Sequence, residues 1–225
     1  MNRSFFTFLL LPGLASTPAF SQQGNPPKNW IRPAQSLTGP AGYVTLPSSE
    51  VTDLKNLSLG VHRFGVGFLY SWPHNVEYGF SFDLREITTS SVDQTRQAFS
   101  PNAKIRLLNS PKWGKVAAGF YRKTYYGVYE REIVSPSLTA EGGGSLTNFA
   151  GVNTGRGFAA LVYNTSLSRY MAEVDGRSLQ PSVGWRYMLA SWIAMDVALT
   201  NMRDYNNKFE NFSFGLTLLS GSPSR

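Results

Sequence analysis

Cysteine is absent from all 225 residues, which excludes disulfides, thiolate-bound metals and a lipid anchor on a cysteine. Histidine is almost absent. With only His62 and His74 in the chain, a hydrolase triad has little to draw on, and no histidine and carboxylate stand at the spacing of metal ligands. No glycine-rich loop follows a strand and opens a helix, so a phosphate cradle is missing too. Neither a cofactor nor a metal is implied. Long apolar runs are also lacking: the most apolar stretch after the first twenty residues, Tyr187 to Met202, is short for a helical span and carries Asp196. Basic residues exceed acidic ones by seven, yet they are scattered singly, so the surplus points away from nucleic acid and towards anionic head groups or acidic saccharide.

What is present begins with a leader. Met1 to Ser21 joins a basic start at Arg3 to an apolar run from Phe5 to Ala15 and a short tail ending Ala19-Phe20-Ser21. This is the pattern of a secretory signal peptide cut near Ser21. An apolar run broken by Pro12-Gly13 is too short for the ~20 residues of a spanning helix. The remaining 204 residues suit one domain. They divide into an irregular stretch rich in proline and glycine (22–55), a patterned body (56–219) and a short tail (220–225).

The body alternates. From Val76 to Arg85, the residues Val76, Tyr78, Phe80, Phe82 and Leu84 fall on one side of a strand, and Glu77, Gly79, Ser81, Asp83 and Arg85 on the other. The same period runs through Leu57 to His62, Val66 to Trp72, Lys104 to Leu107 and Val116 to Phe120. It returns in Tyr125 to Ile133, Thr147 to Thr154, Phe158 to Thr165, Tyr170 to Asp175, Gln180 to Leu189, Trp192 to Asn201 and Asn211 to Leu219. The expected fold is all-β: a single antiparallel transmembrane β-barrel of about twelve strands, or ten if the ambiguous middle of the chain holds fewer. Tight turns are expected at Pro73-His74-Asn75 and around Gly114, and long loops over Thr88 to Asn102 and Ser135 to Ser145, the latter containing Gly142-Gly143-Gly144. The stretch 22–55 is expected at the periplasmic mouth or inside the lumen.

A period of two does not say which face turns outward. The polar face does. It mixes Gly60, Gly67, Gly79, Gly119, Gly184 and Gly215 with charges of both signs, namely Glu77, Asp83, Arg85, Lys104, Arg106, Glu173, Asp175 and Arg186. That mixture suits a narrow wet lumen, and places Val76, Tyr78, Phe80, Phe82 and Leu84 against lipid. Trp72, Tyr170, Trp185, Tyr187 and Trp192 lie near expected strand ends, as interfacial aromatics do. A soluble periplasmic ligand-binding barrel, with the aromatics filling its core, is the competing architecture.

Three segments carry a family resemblance. Gly39-Pro40-Ala41-Gly42-Tyr43-Val44-Thr45-Leu46-Pro47-Ser48-Ser49-Glu50-Val51 resembles the Thr-Gly-Leu-Ile-x-x-Pro-Ser-Ala opening motif of the YjbH-like outer-membrane barrels. Asn75-Val76-Glu77-Tyr78-Gly79 looks like the family's Asn-Leu-Glu-x-Gly strand start. Glu173-Val174-Asp175-Gly176-Arg177, followed by Val183-Gly184-Trp185-Arg186-Tyr187, looks like its Glu-Tyr-Asp-Gly-Arg hairpin closing on Gly-x-Arg-Tyr. The three stand in the family's order. Gln180-Pro181-Ser182 replaces a single Asn of the usual hairpin, and the terminal strand Asn211 to Leu219, similar to a barrel-assembly signal, lacks a final aromatic. The resemblance implies an outer-membrane barrel, in some members associated with exopolysaccharide production, and no enzymatic activity.

The functional expectation is therefore a structural or transport-like barrel of the bacterial outer membrane that supports envelope polysaccharide export. Its expected partners are outer-membrane lipid and lipopolysaccharide, the outer-membrane assembly machinery and acidic saccharide. A lipid-modifying barrel enzyme is the alternative, with His62 beside Glu77 or Asp83 on neighbouring strands. The lumen charges have two readings of their own: a conduit for acidic solutes, or ion pairs that fill a small barrel.

Overall fold

A computed structural model describes residues 31–52, 56–63, 65–72, 75–84, 98–134, 137–149, 151–176, 179–202 and 211–220. Twelve antiparallel strands follow one another: β1 (Leu57–His62), β2 (Gly65–Trp72), β3 (Val76–Asp83), β4 (Phe99–Ser110), β5 (Gly114–Tyr121), β6 (Thr124–Val134), β7 (Leu138–Phe149), β8 (Val152–Asn164), β9 (Ser168–Asp175), β10 (Gln180–Ala190), β11 (Ile193–Leu199) and β12 (Phe212–Leu219). Each pairs with its sequence neighbours, and β1 closes on β12 from Ser58↔Leu219 to His62↔Gly215. The product is a closed barrel. Closure matters physically because it leaves no strand edge with unpaired amides and carbonyls.

Alternation survives into three dimensions. β1 and β12 read exposed, buried, exposed, buried along their whole length, with Leu57, Leu59, Val61, Phe212, Phe214, Leu216 and Leu218 outward. In the β2–β3–β4 wall the outward residues form cross-strand rows, Trp72↔Val76↔Ile105, Tyr70↔Tyr78↔Ala103, Phe68↔Phe80↔Pro101 and Val66↔Phe82↔Phe99. Phe68 and Phe80 stack at 5.4 Å between centroids, the kind of pair that pins strand register. Of the residues expected on the greasy face, Tyr78, Phe80 and Leu84 are exposed, while Val76 and Phe82 are partly covered by these neighbours.

The two ends of the barrel differ. β1 starts and β12 finishes at one end, where the connections 73–75, 111–113, 135–137, 165–167 and 191–192 are two or three residues long. The far end holds both long connections, 84–98 and 200–211, beside the tight hairpins 63–64, 122–123 and 150–151. Asn75 and Gly114 take positive φ, 66° and 84°, as tight hairpin turns demand.

Three expectations need correction. Ser135 to Ser145 is not a long loop. The connection closes at residue 137, and Gly142-Gly143-Gly144 lie in the middle of β7, paired on both sides (Gly127↔Gly144↔Gly157). Thr147 to Thr154 is accordingly not a strand but the end of β7, a tight turn and the start of β8. The long connection expected to reach Asn102 stops at Ala98, because Phe99 to Asn102 already pair with Phe82 to Gly79. Long and short connections therefore do not alternate regularly.

The misplaced glycines have a physical reason. At Gly143 an added Cβ would fall 2.5 Å from both the Gly127 carbonyl and the Phe158 ring, whereas at Gly144 the nearest atom is 3.7 Å away. Gly143 makes room inside and Gly144 faces out. Gly143→Ala is expected to cost about 1–3 kcal/mol through overpacking, and Gly144→Ala nothing or less than nothing, since alanine is easier to order than glycine. Denaturant unfolding of the two variants in detergent checks this; a loop would tolerate both equally.

Candidate functional site

Residues 31–52 lie inside the barrel. They form a hairpin-like plug that enters from the end where the termini of the barrel meet, turns back near Thr38 and Gly39, and returns towards β1. Two isolated bridges, Gln35↔Ala41 and Gly42↔Pro47, hold its limbs. Arg32 anchors the entrance by donating to the carbonyls of Ser191 and Ser220 at 2.9 Å each. Ala34, Tyr43, Val44 and Leu46 are buried against inward residues such as Val162, Met171, Ala117, Val128 and Met188.

Proline and glycine deny this segment a regular ladder, so many of its backbone groups need partners from elsewhere. The wall supplies them as charges. Glu173 accepts the amides of Val44, Thr45 and Leu46 at 3.2, 2.8 and 3.3 Å, and the Thr45 hydroxyl as well. Glu77 accepts the amides of Ala41 and Thr52 at 2.9 and 3.1 Å. Glu141 accepts the Ser49 amide at 2.8 Å and the Tyr43 hydroxyl at 3.2 Å. Lys104 runs the other way. Its ammonium donates to the carbonyls of Ala41, Ser48 and Glu50 and pairs with Glu77 at 3.1 Å, both side chains fully buried. Arg186 donates to the Gly42 and Gln35 carbonyls at 3.2 and 2.9 Å while its Nε pairs with Asp196 at 2.6 Å.

The plug also sends a carboxylate to the wall. Glu50 meets Arg169 in a two-pronged pair at 2.5 and 3.0 Å. Burial pushes the Glu50 carboxyl up, but Arg169 and then Lys115 and Arg186 outweigh it and pull it down to about 2. Burial, reinforced by Glu141, raises the Tyr43 phenol well above its ordinary range, which keeps its proton available for Glu141.

The expected cluster of eight thus separates. Glu77, Lys104, Glu173 and Arg186 converge on the plug. Asp83 lines the far mouth, and Asp175 pairs with Arg156 at 2.7 Å near the same end. Arg106 donates to the Asn75 side chain at the end of the tight turns. Arg85 and His74 lie outside the described residues. The sequence reading missed Glu130, Glu141, Arg169 and Asp196, although each keeps inward parity with Val128, Thr139, Met171 and Ala194 on its own strand.

No family model matches the chain, and no curated protein matches it. Among solved structures, a triple mutant of the Rh. blastica porin is similar in form, at 12% identity and a TM-score of 0.37, covering 69% of this chain. The chain spans 55% of that porin's length. At such similarity nothing about the porin's lumen transfers to this one.

The three segments that carry the YjbH-like resemblance are far apart in sequence and meet here: Glu77 and Glu173 grip residues 41 to 46, and Arg186 grips Gly42. Both ring nitrogens of His62 lack a hydrogen-bond partner among the described residues, and the oxygens of Glu77 are taken by the plug and Lys104. No described group of three or more histidines and carboxylates could hold a metal.

Lys104→Met removes the hub cation and strands Glu77 in a buried site, which is expected to cost about 3–5 kcal/mol; thermal unfolding in detergent, with proteolysis of residues 31–52 as a second readout, measures it. The Glu50 carboxyl is held down in the folded protein, so its contribution is complete above the ordinary carboxylate range of about 4 and fades as pH falls towards 2. Stability measured across that window should drop with acid in the native protein and lose part of that slope in Glu50→Gln.

Proposed function

We propose that this chain is an outer-membrane β-barrel of the YjbH-like kind, closed by its own N-terminal plug, with a structural or gated role in envelope polysaccharide export. The observation that carries the reading is the pairing of an apolar exterior with an ionic interior. Large apolar residues from Leu57 round the wall to Leu218 are exposed, whereas Lys104, Glu77 and Arg186 are buried. A soluble barrel turns these faces the other way round.

Interfacial side chains are placed as a bilayer would require. Trp72, Trp113, Tyr163, Tyr170 and Trp192, all exposed, ring the end with the tight turns. Phe80, Phe99, Phe120, Phe212 and Phe214 lie towards the far end. Trp185 sits in the middle of β10, half buried beside Tyr187, and so stands apart from the ring expected at strand ends. The tight-turn end is then periplasmic and the long connections face outward. The leader 1–21 would supply export, and β12 would engage the assembly machinery.

The plug supports a closed barrel. Its amides and carbonyls are bonded to β3, β4, β7, β9 and β10, more than half-way round the lumen. An open pore for acidic solutes would need those charges free. The charges therefore support the second reading, ion pairs and hydrogen bonds that keep the barrel shut.

Planar-bilayer recording is the direct test. The wild-type protein, shown to be inserted by heat-modifiable gel mobility, is expected to be silent. Gly184→Phe places a ring where an added Cβ alone already comes within 2.5 Å of Val44, displaces the plug and opens a current. Steady wild-type conductance would defeat the closed-barrel reading, and failure to insert would defeat the membrane reading.

A further inference from the structure

We propose that the far mouth of the barrel holds a binding site for an uncharged polyhydroxylated ligand, the size of one sugar ring or two, seated directly on the tip of the plug. A cavity of about 320 Å³ opens there, at the lower end of the range for small-molecule sites. Its floor is plug: Gln35, Ser36, Thr38 and Thr45. Its walls come from β1, β2, β3, β4, β5 and β12. The site is distinct from the charge network below it, most of which is bonded to the plug.

The lining has the chemistry of hydroxyl recognition. Serine and threonine hydroxyls enter from both the floor and the wall, among them Ser81, Ser100 and Ser213. Tyr121 adds ring surface on which a sugar can lie. Asp83 and Arg122 contribute opposite charges, so the mouth favours neither anion nor cation strongly. The hydroxyls of Ser36, Thr38, Thr45 and Ser81 already donate to carbonyl or carboxylate oxygens and meet a ligand hydroxyl as acceptors, while Ser100 and Ser213 can meet it in either sense.

His62 points to a ligand independently of that composition. It lines the cavity, it is only 7% exposed, and neither ring nitrogen has a partner among the described residues. The Gln35 Oε1 atom, beside it on the floor, is likewise unpartnered, while the Gln35 amide nitrogen is fixed by the Ser58 and Gly67 carbonyls at 2.9 and 3.2 Å. Buried polar atoms left unbonded are costly. In this conformation these atoms are covered; a turn of the His62 ring towards the cavity it borders offers a ligand hydroxyl one donor and one acceptor. Gly60, Gly67 and Gly215 make room for these two side chains: an added Cβ at Gly215 would fall 2.3 Å from His62 Nδ1, and at Gly67 2.3 Å from Gln35 Oε1.

The proposal does not require the barrel to sit in a membrane or to be closed against ions. Its test is direct titration of the full chain in detergent by calorimetry and saturation-transfer NMR. The probes are glucose, galactose, N-acetylglucosamine and maltose, with citrate and inorganic phosphate as anionic comparators. At least one sugar is expected to bind saturably in the millimolar range. Ser213→Phe, which fills the cavity from the wall, should abolish that binding. His62→Leu, which removes both nitrogens, should weaken it about tenfold, the worth of one or two hydrogen bonds. Both variants must match wild type in circular dichroism and heat-modifiable mobility. Silence of all four sugars up to about 50 mM overturns the proposal, as does saturable binding of citrate or phosphate alone, or sugar binding that neither substitution reduces.

Discussion

A polypeptide without regular structure can be buried only if its amides and carbonyls are satisfied one by one, and that requirement organises this molecule. Part of it is met within the plug, as where Leu37 donates to Val44 and Tyr43 to Leu46. The rest falls to the wall. Carboxylates of Glu77, Glu141 and Glu173 take amides, and the cations of Lys104 and Arg186 take carbonyls. A charged side chain is suited to this task because a bond to an ionised group is stronger than a neutral one and one group can serve several backbone positions. Glu173 alone serves three consecutive amides.

That constraint explains why buried charges of both signs persist in so small a lumen. A carboxylate facing only amides would be held by partial charges, and a lysine facing only carbonyls likewise; the Lys104–Glu77 and Arg186–Asp196 pairs add full countercharge where burial is deepest. The same economy shapes the wall. Where the plug presses closest, the wall has glycine: an added Cβ at Gly67 would meet Gln35, and at Gly184 Val44. The glycine and charge of the polar face are therefore two answers to one occupant.

The barrel itself was legible in the sequence because a strand with unlike faces writes a period of two into side chains, and Val76 to Asp83 does so without interruption. The reading failed where side chains carry no signal. Gly142-Gly143-Gly144 has nothing to alternate and resembles a loop, yet Gly143 faces the Phe158 ring inside and Gly144 faces out. The site was half legible for a related reason. Parity assigned Glu77, Lys104, Glu173 and Arg186 to the lumen, but their partners are backbone atoms of residues 35 to 52, and a backbone amide is the same in every residue. Ion pairing could be imagined from the letters; a charge bound to an amide three strands away could not.

Opening the lumen has a definite physical form under these contacts. The plug is tied to strands on several sides, so a small displacement towards any one of them stretches bonds to the others, and no sideways shift frees a channel. Both its limbs reach the end with the tight turns, Arg32 beside Ser191 and Ser220 and Thr52 beside Ser71, while its tip faces the far mouth. Force along the barrel axis from the limb end would load Arg32, Glu50–Arg169 and Thr52 first and the Glu173 and Arg186 contacts later. A ligand seated on the tip acts at the opposite pole, on Gln35 to Gly39, where it would add bonds only while the plug remains in place. By linkage such a ligand stabilises the closed state with the logarithm of its concentration above its Kd, so the far mouth and the limb end control one equilibrium from opposite sides.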